Sequence, residues 1–425
     1  MKIVCLNCIT GFDSSHVEWR MLDGSPYVPA PPSRRRWSIF ADLIEGSAVD
    51  DRRADEVARI AKGLTPHCPK NGCRIPNEMV TRSTKVIGIV GEPGSSKTSV
   101  LTSMFERASV NRDIADRLNF TLTAKSNLIW ESAYNKQFRD KVPVPSTASR
   151  EGINQPDSAP ESDDKPESVS GQHHWSDLHA REPIVIKASS KHGDVNFVFL
   201  DLAGEDALTA QNAAEVSPHL AIADHLWFFL TPNLNSDVVE ELSTRGPADV
   251  AENLHDTGEH NQNHSRTNIM IREIAELWKK ANGLHPDSRP GRPRIHATAV
   301  LTKVDLLSSL QHDPEIERLV ASVAPPIDWL TNTTVPADLM NAEAIDHRSE
   351  DTSKLVRILY PQIYNSIVHN FPEAIFLPVA ASGSVAKRIS KDDPKSGRYY
   401  PQVKPYGVVD LFFSMVLLTD ELKLQ

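Results

Sequence analysis

A lysine and a threonine follow a glycine-rich turn in the sequence KVIGIVGEPGSSKTSV at residues 85–100. The apolar, β-branched run at 86–90 predicts a strand that is buried on both faces. Glycines let the backbone turn so that amide groups face phosphate oxygens at the start of the following helix. The lysine would reach the β- and γ-phosphates, and the threonine hydroxyl would bind Mg²⁺. The predicted phosphate-contacting residues are Gly91, Gly94, Ser95, Ser96, Lys97 and Thr98.

Ser96 departs from the phosphate-loop pattern G-x-x-x-x-G-K-[ST], which has a glycine directly before the lysine. A side chain there would crowd the backbone nearest the phosphates, so nucleotide binding could be altered or weakened. The alternative interpretation is a Gly/Ser turn that only resembles the motif. Apolar residues recur at helical spacing from Val100 to Phe105, which supplies the helix that the motif requires.

An acidic sequence, DLAGE, follows a second apolar run at residues 194–200. The run before it, at 183–188, is joined to it by SSKHG, a short polar connection that predicts an antiparallel hairpin. Asp201 at the strand tip could hold the Mg²⁺ shell, and the Gly204 amide could meet a γ-phosphate. Glu205 follows directly. The pattern Asp-x-x-Gly is common in proteins, so it indicates a phosphate site only because it directly follows this predicted strand.

Two further predicted strands, at 295–301 and 374–379, end in residues suited to a nucleobase. The first leads into TKVD, where Asp305 could accept hydrogen bonds from guanine N1–H and N2–H₂, donors that adenine lacks. The Lys303 stem would pack on the ring. The second leads into AASG, whose backbone amides could meet the base oxygen. The alternative to base recognition by TKVD is a strand that simply ends in a charged turn. The predicted base-reading residues are Thr302, Lys303, Asp305, Ala381 and Ser382.

All four cysteines occur in two close pairs, Cys5-x-x-Cys8 and Cys68-P-K-N-G-Cys73. This arrangement is typical of two knuckles that close on one tetrahedral Zn²⁺ with thiolate ligands. The alternatives are four unrelated buried thiols, or a redox pair at the first two cysteines. So few cysteines in 425 residues do not form a secreted disulfide framework. Two histidines could substitute for a ligand: His16 and His67.

The composition is that of a globular protein, with 40% hydrophobic residues and a formal net charge of −10. This charge argues against broad attachment to nucleic acid or an anionic membrane, although it leaves room for a local basic patch such as Arg34 to Arg36. The sequence contains no apolar run near 18 residues and no signal-peptide pattern at its start. We therefore expect a cytoplasmic protein without a transmembrane segment.

Composition also divides the chain. We predict a zinc-binding module with a Pro/Arg-rich insert at 1–80, followed by a nucleotide-binding domain at 84–425. Residues 142–178 are rich in proline, serine and acids, which predicts a disordered insert. A polar loop is expected at 243–267, before a helix capped by Asn268. Residues 111–139 have helical character, and the last helix is expected at 408–418.

The four motifs GEPGSSKT, DLAGE, TKVD and AASG occur in the order used by regulatory GTPases. The chain therefore resembles the translation-factor-related (TRAFAC) class of P-loop GTPases over about residues 84–425. With the cysteine module in front, it looks most like the predicted bacterial conflict and defence GTPases of the double-GTPase type. The resemblance implies an α/β, three-layer fold with a mostly parallel sheet, preceded by a small zinc-ribbon-like module. It also implies that GTP or GDP, Mg²⁺ and Zn²⁺ are bound.

By the same resemblance, Lys97, Thr98, Asp201, Gly204 and Glu205 would form the catalytic set. Glu205 stands where many members of the class have a glutamine that orients the attacking water. Thr121 and Thr123 lie in the right interval for the switch threonine, but the insert disrupts the spacing, so this residue is not assigned. Binding is therefore better supported than fast hydrolysis, and turnover is expected to be slow without an activator.

Three functions are compatible with this sequence. The first is a GTP-controlled switch that acts on a protein effector or activator, with a homo- or hetero-dimer through the GTPase domain as one arrangement. The second is an ATP-dependent motor or assembly enzyme, which TKVD argues against. The third is a zinc-ribbon nucleic-acid-binding protein with a degenerate, non-hydrolysing nucleotide fold, which the overall charge disfavours.

Overall fold

A computed structural model of the chain defines its architecture. The structure describes residues 2–6, 8, 10–27, 48–92, 94–144, 183–201, 220, 222–232, 236–245, 264–281, 295–308, 310, 314–326, 328–331, 336–389, 397–419 and 422. Most of the predicted insert at 142–178, most of the polar loop at 243–267 and the basic run Arg34 to Arg36 lie outside these described residues.

The described strands, in chain order, are β1 (Lys2–Cys5), β2 (Thr10–Asp13), β3 (Glu18–Arg20), β4 (Thr65–His67), β5 (Ser83–Gly91), β6 (Asn119–Leu122), β7 (Ile184–Ser190), β8 (Gly193–Asp201), β9 (His225–Leu230), β10 (His296–Thr302), β11 (Ile375–Val379), β12 (Lys387–Arg388) and β13 (Arg398–Tyr399). The described α-helices are α1 (Ala48–Ala61), α2 (Asn77–Thr81), α3 (Lys97–Val110), α4 (Arg112–Arg117), α5 (Ala124–Tyr134), α6 (Ser236–Arg245), α7 (His264–Ala281), α8 (Val304–Leu307), α9 (Pro314–Val323), α10 (Ala342–Leu359), α11 (Pro361–Asn370) and α12 (Val408–Leu417). A 3₁₀ turn lies at Ser14–His16, and a π turn at Asn135–Arg139 follows α5.

A seven-stranded sheet forms the centre of the molecule, in the order β11-β10-β9-β5-β8-β7-β6. The five strands from β11 to β8 are parallel to their neighbours. Beyond β8, the last two strands are antiparallel, with β7 paired to β8 and the edge strand β6 paired to β7. The carboxyl ends of the parallel strands meet at one edge of the sheet, which is where ligands bind in open α/β folds. The strand ends at Gly91, Asp201, Thr302 and Val379 therefore face a common site.

Apolar side chains cover both faces of the sheet, as the unbroken apolar runs predicted. Along β5, Val86 and Val90 belong to one cluster of buried side chains, whereas Ile87 and Ile89 belong to another. Because successive strand residues point to opposite faces, the two clusters lie on opposite sides of the sheet. Helices α3 and α12 contribute to one cluster and α7, α9, α10 and α11 to the other. The architecture is thus a three-layer α/β sandwich, compatible with a P-loop GTPase-like fold.

The predicted hairpin at 183–200 is confirmed, since β7 and β8 pair antiparallel from Ile184 with Phe199 to Ser190 with Gly193. One local prediction holds in part and another was wrong. The segment 111–139 was expected to be helical, and it is helical on both sides of β6, which pairs antiparallel with β7 at the sheet edge. Helix α7 begins at His264, before the predicted cap at Asn268, whose side chain instead accepts a hydrogen bond from Ser366.

The cysteine-containing region folds as two small antiparallel pairs, β1 with β2 and β3 with β4. Helix α2 connects it to β5. Its buried residues, including Ile3, Ile75 and Met79, belong to the same cluster as Val86 of the central sheet. This packing joins the region to one face of the sheet, while the division into two domains at about residue 80 stays a prediction.

Candidate functional site

The predicted phosphate loop lies between the end of β5 and the start of α3, as the sequence indicated. A Cβ atom on Gly91 would lie 2.7 Å from the Cβ of Phe229 and 2.8 Å from Ser95 Oγ, so this position requires glycine. Gly94 has a φ of +72°. Ser96 has φ 64° and ψ 22°, a left-handed conformation that glycine adopts more readily than serine. The pattern's glycine before the lysine is explained by this backbone turn.

Lys97 is buried inside the loop that it follows. Its Nζ donates to the Gly91 carbonyl at 2.9 Å and the Glu92 carbonyl at 3.2 Å, and lies 3.5 Å from Ser95 Oγ. The ammonium group is therefore held at the mouth of the loop, beside the backbone that would surround a phosphate. A bound phosphate can offer it stronger, charge-assisted hydrogen bonds than these neutral carbonyls.

Thr98 and Asp201 bring two oxygen ligands together next to the loop. The Thr98 hydroxyl donates to Asp201 Oδ2 at 3.2 Å, although the two residues belong to different elements, α3 and β8. Mg²⁺ binds oxygen ligands at about 2.0–2.1 Å with octahedral geometry, so two adjacent ligands lie about 3 Å apart. The chemistry and the spacing of this pair fit such an ion, with the remaining positions left to water and phosphate.

Four of the five predicted base-reading residues, all but Thr302, line one cleft, whose volume of about 470 Å³ includes space open to solvent. The lining includes Lys303 and Asp305 at the start of α8, and Ala381 and Ser382 in the loop after β11. The cleft reaches Ser96 at the end of the phosphate loop. Three sequence motifs that are separated by more than 70 residues along the chain therefore contribute to one cleft.

Burial shifts the pKa values of the two charged residues that line the cleft. It raises the pKa of Asp305 to about 6, although backbone hydrogen bonding and the Lys303 charge oppose the rise. It lowers the pKa of Lys303 to about 8, against the influence of Asp305 and with a further lowering from Arg398. Lys303 also has a left-handed backbone, with φ 53°, which turns the chain from β10 into α8.

Thr302 was predicted to read the base, but its side chain points elsewhere. Its hydroxyl donates to the Leu230 carbonyl of β9 at 2.9 Å, and the residue is fully buried. Thr302 thus fixes the end of β10 against β9 and positions the following lysine and aspartate. The sequence alone could not separate these roles, because both require a hydroxyl at a strand end.

The loop at 381–384 is braced by a returning segment at 400–407. Ala380 and Tyr406 exchange two backbone hydrogen bonds, the Lys404 amide donates to the Ser382 carbonyl at 2.7 Å, and the Ser384 hydroxyl donates to the Gln402 carbonyl. Gly383 has a φ of +63°, and a Cβ atom there would lie 1.9 Å from the Lys404 carbonyl oxygen. This close approach requires glycine in the sequence AASG.

A buried polar contact connects the phosphate-loop helix with the base loop. Ser103 of α3 donates from Oγ to the Ala381 carbonyl at 2.6 Å, and Gln137 of the π turn donates to the same carbonyl at 3.1 Å. Neither residue was predicted from the sequence, because neither belongs to a local motif that indicates a contact with Ala381. The contact orients the Ala381 peptide group, which lies next to the backbone amides of AASG that would contact the base oxygen.

The structure brings the two cysteine pairs together beside the two small antiparallel strand pairs. The sulfurs of Cys5, Cys8 and Cys73 all lie within 4.8 Å of one another, and Cys8 Sγ lies 3.6 Å from Cys68 Sγ. Thiolates around Zn²⁺ at about 2.3 Å stand about 3.8 Å apart, so the spacing of the three-cysteine cluster suits a zinc ion, and Cys68 lies beside it through Cys8. His67 contacts Thr65 Oγ1 and the Gly72 carbonyl through its two ring nitrogens, so its ring is committed to the hairpin.

Several predicted residues remain outside this geometry. Gly204 and Glu205 lie outside the described residues. Thr123 caps α5, with its side-chain oxygen accepting from the Ser126 amide at 3.2 Å, whereas Thr121 lies on the edge strand β6. Among the described helices, none is long and apolar enough to span a membrane.

No protein-family model matches this chain, and no curated protein matches it in sequence. Among solved structures, the GTPase-like domain of S. cerevisiae Ski7 bound to GTP is similar, with a TM-score of 0.33 and 11% sequence identity. The match covers 81% of this chain and 51% of that one, so the chain spans about half the length of that structure. Because the TM-score is so low, the function proposed below rests on the residues of this chain.

Proposed function

We propose that the chain binds GTP, hydrolyses it slowly and acts as a switch for a partner protein. The observation that carries the proposal is the shared cleft, which is lined by Lys303, Asp305 and Ser382 together with Ser96 at the end of the phosphate loop. A nucleotide has a phosphate end and a base end, and this arrangement places ligands suited to each at neighbouring positions.

Asp305 would select guanine by accepting hydrogen bonds from N1–H and N2–H₂. Adenine presents no such pair of donors, so a buried carboxylate would lose its partners, at a cost of about 1–3 kcal/mol. Lys97 and the loop amides would bind the β- and γ-phosphates. Thr98 and Asp201 would hold Mg²⁺, which would neutralise charge on the phosphate oxygens.

Slow hydrolysis follows from Glu205 in the position after DLAG. Its carboxylate could accept a hydrogen bond from the attacking water, but its negative charge would face the γ-phosphate oxygens. A partner, or a second copy of the chain, would then supply positive charge or reorder the loop. Single-turnover hydrolysis by the native chain and by Glu205→Gln tests this, because turnover within about 1–10³ s⁻¹ by the isolated native chain would remove the need for an activator.

The cysteine cluster would hold one structural Zn²⁺ through Cys5, Cys8, Cys68 and Cys73. Two of these residues, Cys5 and Cys68, are almost fully buried, and the Cys68 amide donates to the Cys73 carbonyl at 2.8 Å. The ion would therefore stabilise a knuckle that is already shaped by backbone contacts. Small metal-binding modules gain much of their folding free energy from the bound ion.

Resemblance to the bacterial conflict and defence GTPases supports the assignment to such a system, the control of a partner and a cytoplasmic location. A titration of the native chain with GTP, ATP and a nucleic acid at several salt concentrations separates the competing functions. Preference for GTP supports the switch. Equal affinity for ATP and GTP would reject guanine recognition, and tight, salt-dependent binding of nucleic acid would favour the zinc-ribbon alternative.

A further inference from the structure

Tyr400 lines the base cleft, although it lies almost a hundred residues beyond Asp305 in the chain. It directly follows β13, in the segment between AASG and the last helix α12. Tyr400 is the one aromatic residue among the described residues that line the cleft; the other side chains there are small, aliphatic, hydroxylic or charged. A planar ring beside Asp305 and Lys303 is a natural surface for a planar base.

The ring of Tyr400 is held in place before any ligand binds. Its phenol group hydrogen-bonds the Ser382 side chain, and its backbone amide donates to the Lys141 carbonyl. The next residues are fixed by the contacts of Gln402 and Lys404 with the base loop. A side chain that is already ordered loses little entropy when a ligand packs on it, so contact with it contributes more to affinity.

The hydroxyl of Tyr400 remains a neutral phenol at physiological pH. Burial, the largest cause, and the nearby Asp305 charge together raise the pKa of Tyr400 to about 12. The ring therefore adds no negative charge next to the carboxylate that reads the base. The side chain therefore offers an aromatic ring and a neutral hydroxyl within the lining of the cleft.

We propose that Tyr400 is a base-contacting residue of this cleft, with its ring packed against the guanine that Asp305 recognises. The inference rests on the proposed function, because it requires a guanine nucleotide in the cleft. It assigns a role to the segment after AASG, which would brace the base loop through Lys404 and contact the base through Tyr400.

The test uses calorimetric titration of the full chain with GDP and with inorganic triphosphate, which has no base. Tyr400→Ala should weaken GDP binding by about tenfold to a hundredfold and leave triphosphate binding unchanged, because only the base contact is lost. Tyr400→Phe keeps the ring and should stay within about threefold of the native chain. Tyr399→Ala is the matched control, since the neighbouring Tyr399 is 38% exposed and pairs across to Lys387 outside the cleft.

Three results would overturn the inference. Native affinity of Tyr400→Ala for GDP would show that the ring makes no contact, and equal losses for GDP and triphosphate would show a structural role. A loss in Tyr400→Phe as large as in Tyr400→Ala would assign the effect to the hydroxyl and Ser382. If Asp305→Asn loses GDP affinity while Tyr400→Ala does not, this inference fails alone. If the native chain binds triphosphate but does not prefer guanine, the proposed function fails as well.

Discussion

The hydroxyl of Thr98 donates to the carboxylate of Asp201 at 3.2 Å, which connects the first turn of α3 to the end of β8. Each residue ends or begins an element directly beside the phosphate loop. Two oxygen ligands at this separation are suited to adjacent positions around one Mg²⁺ ion. Substitution of Thr98 therefore tests the phosphate end of the site.

Replacing Thr98 by valine should remove most of the effect of Mg²⁺ on GTP binding. The variant keeps the shape of the side chain but loses the hydroxyl, so we expect affinity in Mg²⁺ to fall about tenfold or more, with little change in the presence of EDTA. Thr102→Val is the matched control, because that hydroxyl donates to the Thr98 carbonyl within the helix. Equal Mg²⁺ dependence of Thr98→Val and the native chain would exclude Thr98 as a ligand.

Replacing Ser96 by glycine should stabilise the nucleotide-free chain. The left-handed backbone of Ser96 costs of order 1–3 kcal/mol for a non-glycine residue, and the greater freedom of glycine in the unfolded chain cancels about 0.5–1 kcal/mol of the gain. Urea unfolding should therefore show a net gain of about 1 kcal/mol. Ser99→Gly, within ordinary helix, should lose about 0.5 kcal/mol. A loss of similar size in both variants would show that Ser96 is unstrained.

Affinity for GTP should fall in acid through the titration of Asp305. Burial raises the pKa of this carboxyl to about 6, and only its ionised form accepts both guanine donors. Binding should be full well above pH 6 and weaken as the pH falls through 6, by up to about tenfold for each further unit. The ratio of GTP affinity to inorganic triphosphate affinity isolates the base, because both ligands carry phosphate titrations. A ratio that stays constant from pH 7.5 to pH 5 would contradict the assignment of Asp305.

Loss of one cysteine should release the zinc ion and loosen the amino-terminal region. For Cys68→Ser we expect less than one zinc per chain by elemental analysis, and faster amide exchange at residues 2–27 and 64–75 than in the central sheet. His67→Gln should keep its zinc, since the two ring nitrogens of His67 contact Thr65 and Gly72. Native protein that contains no zinc after purification under reducing conditions would reject the metal site.

Sequence patterns predicted the parts of the fold that local residues determine. The apolar run of β5 and the glycines at 91 and 94 predicted a strand and a tight turn, and the structure has both. The same holds for Asp201 at the tip of β8 and for the helix at Val408–Leu417. These features depend on side-chain size, alternation and backbone freedom, which are visible within a short window.

Features that depend on distant partners were not predictable in the same way. Strand β6 depends on pairing with β7, which is distant in the chain, and Phe120 lies beside Phe412, a residue almost three hundred positions away. Ser103 and Gln137 meet at the Ala381 carbonyl, and Tyr400 reaches Asp305 only after the chain has crossed the sheet.

Asp305 is the residue that would select guanine, so the nucleotide specificity of the Asp305→Asn variant tests this role. Titrations of the native chain and Asp305→Asn with GTP, ATP and xanthosine triphosphate should be compared under the same conditions. Because asparagine offers a donor where aspartate has only acceptors, the variant should lose about tenfold or more in GTP affinity and gain affinity for xanthosine triphosphate. Equal binding of GTP and ATP by the native chain, or unchanged GTP affinity in Asp305→Asn, would contradict the account.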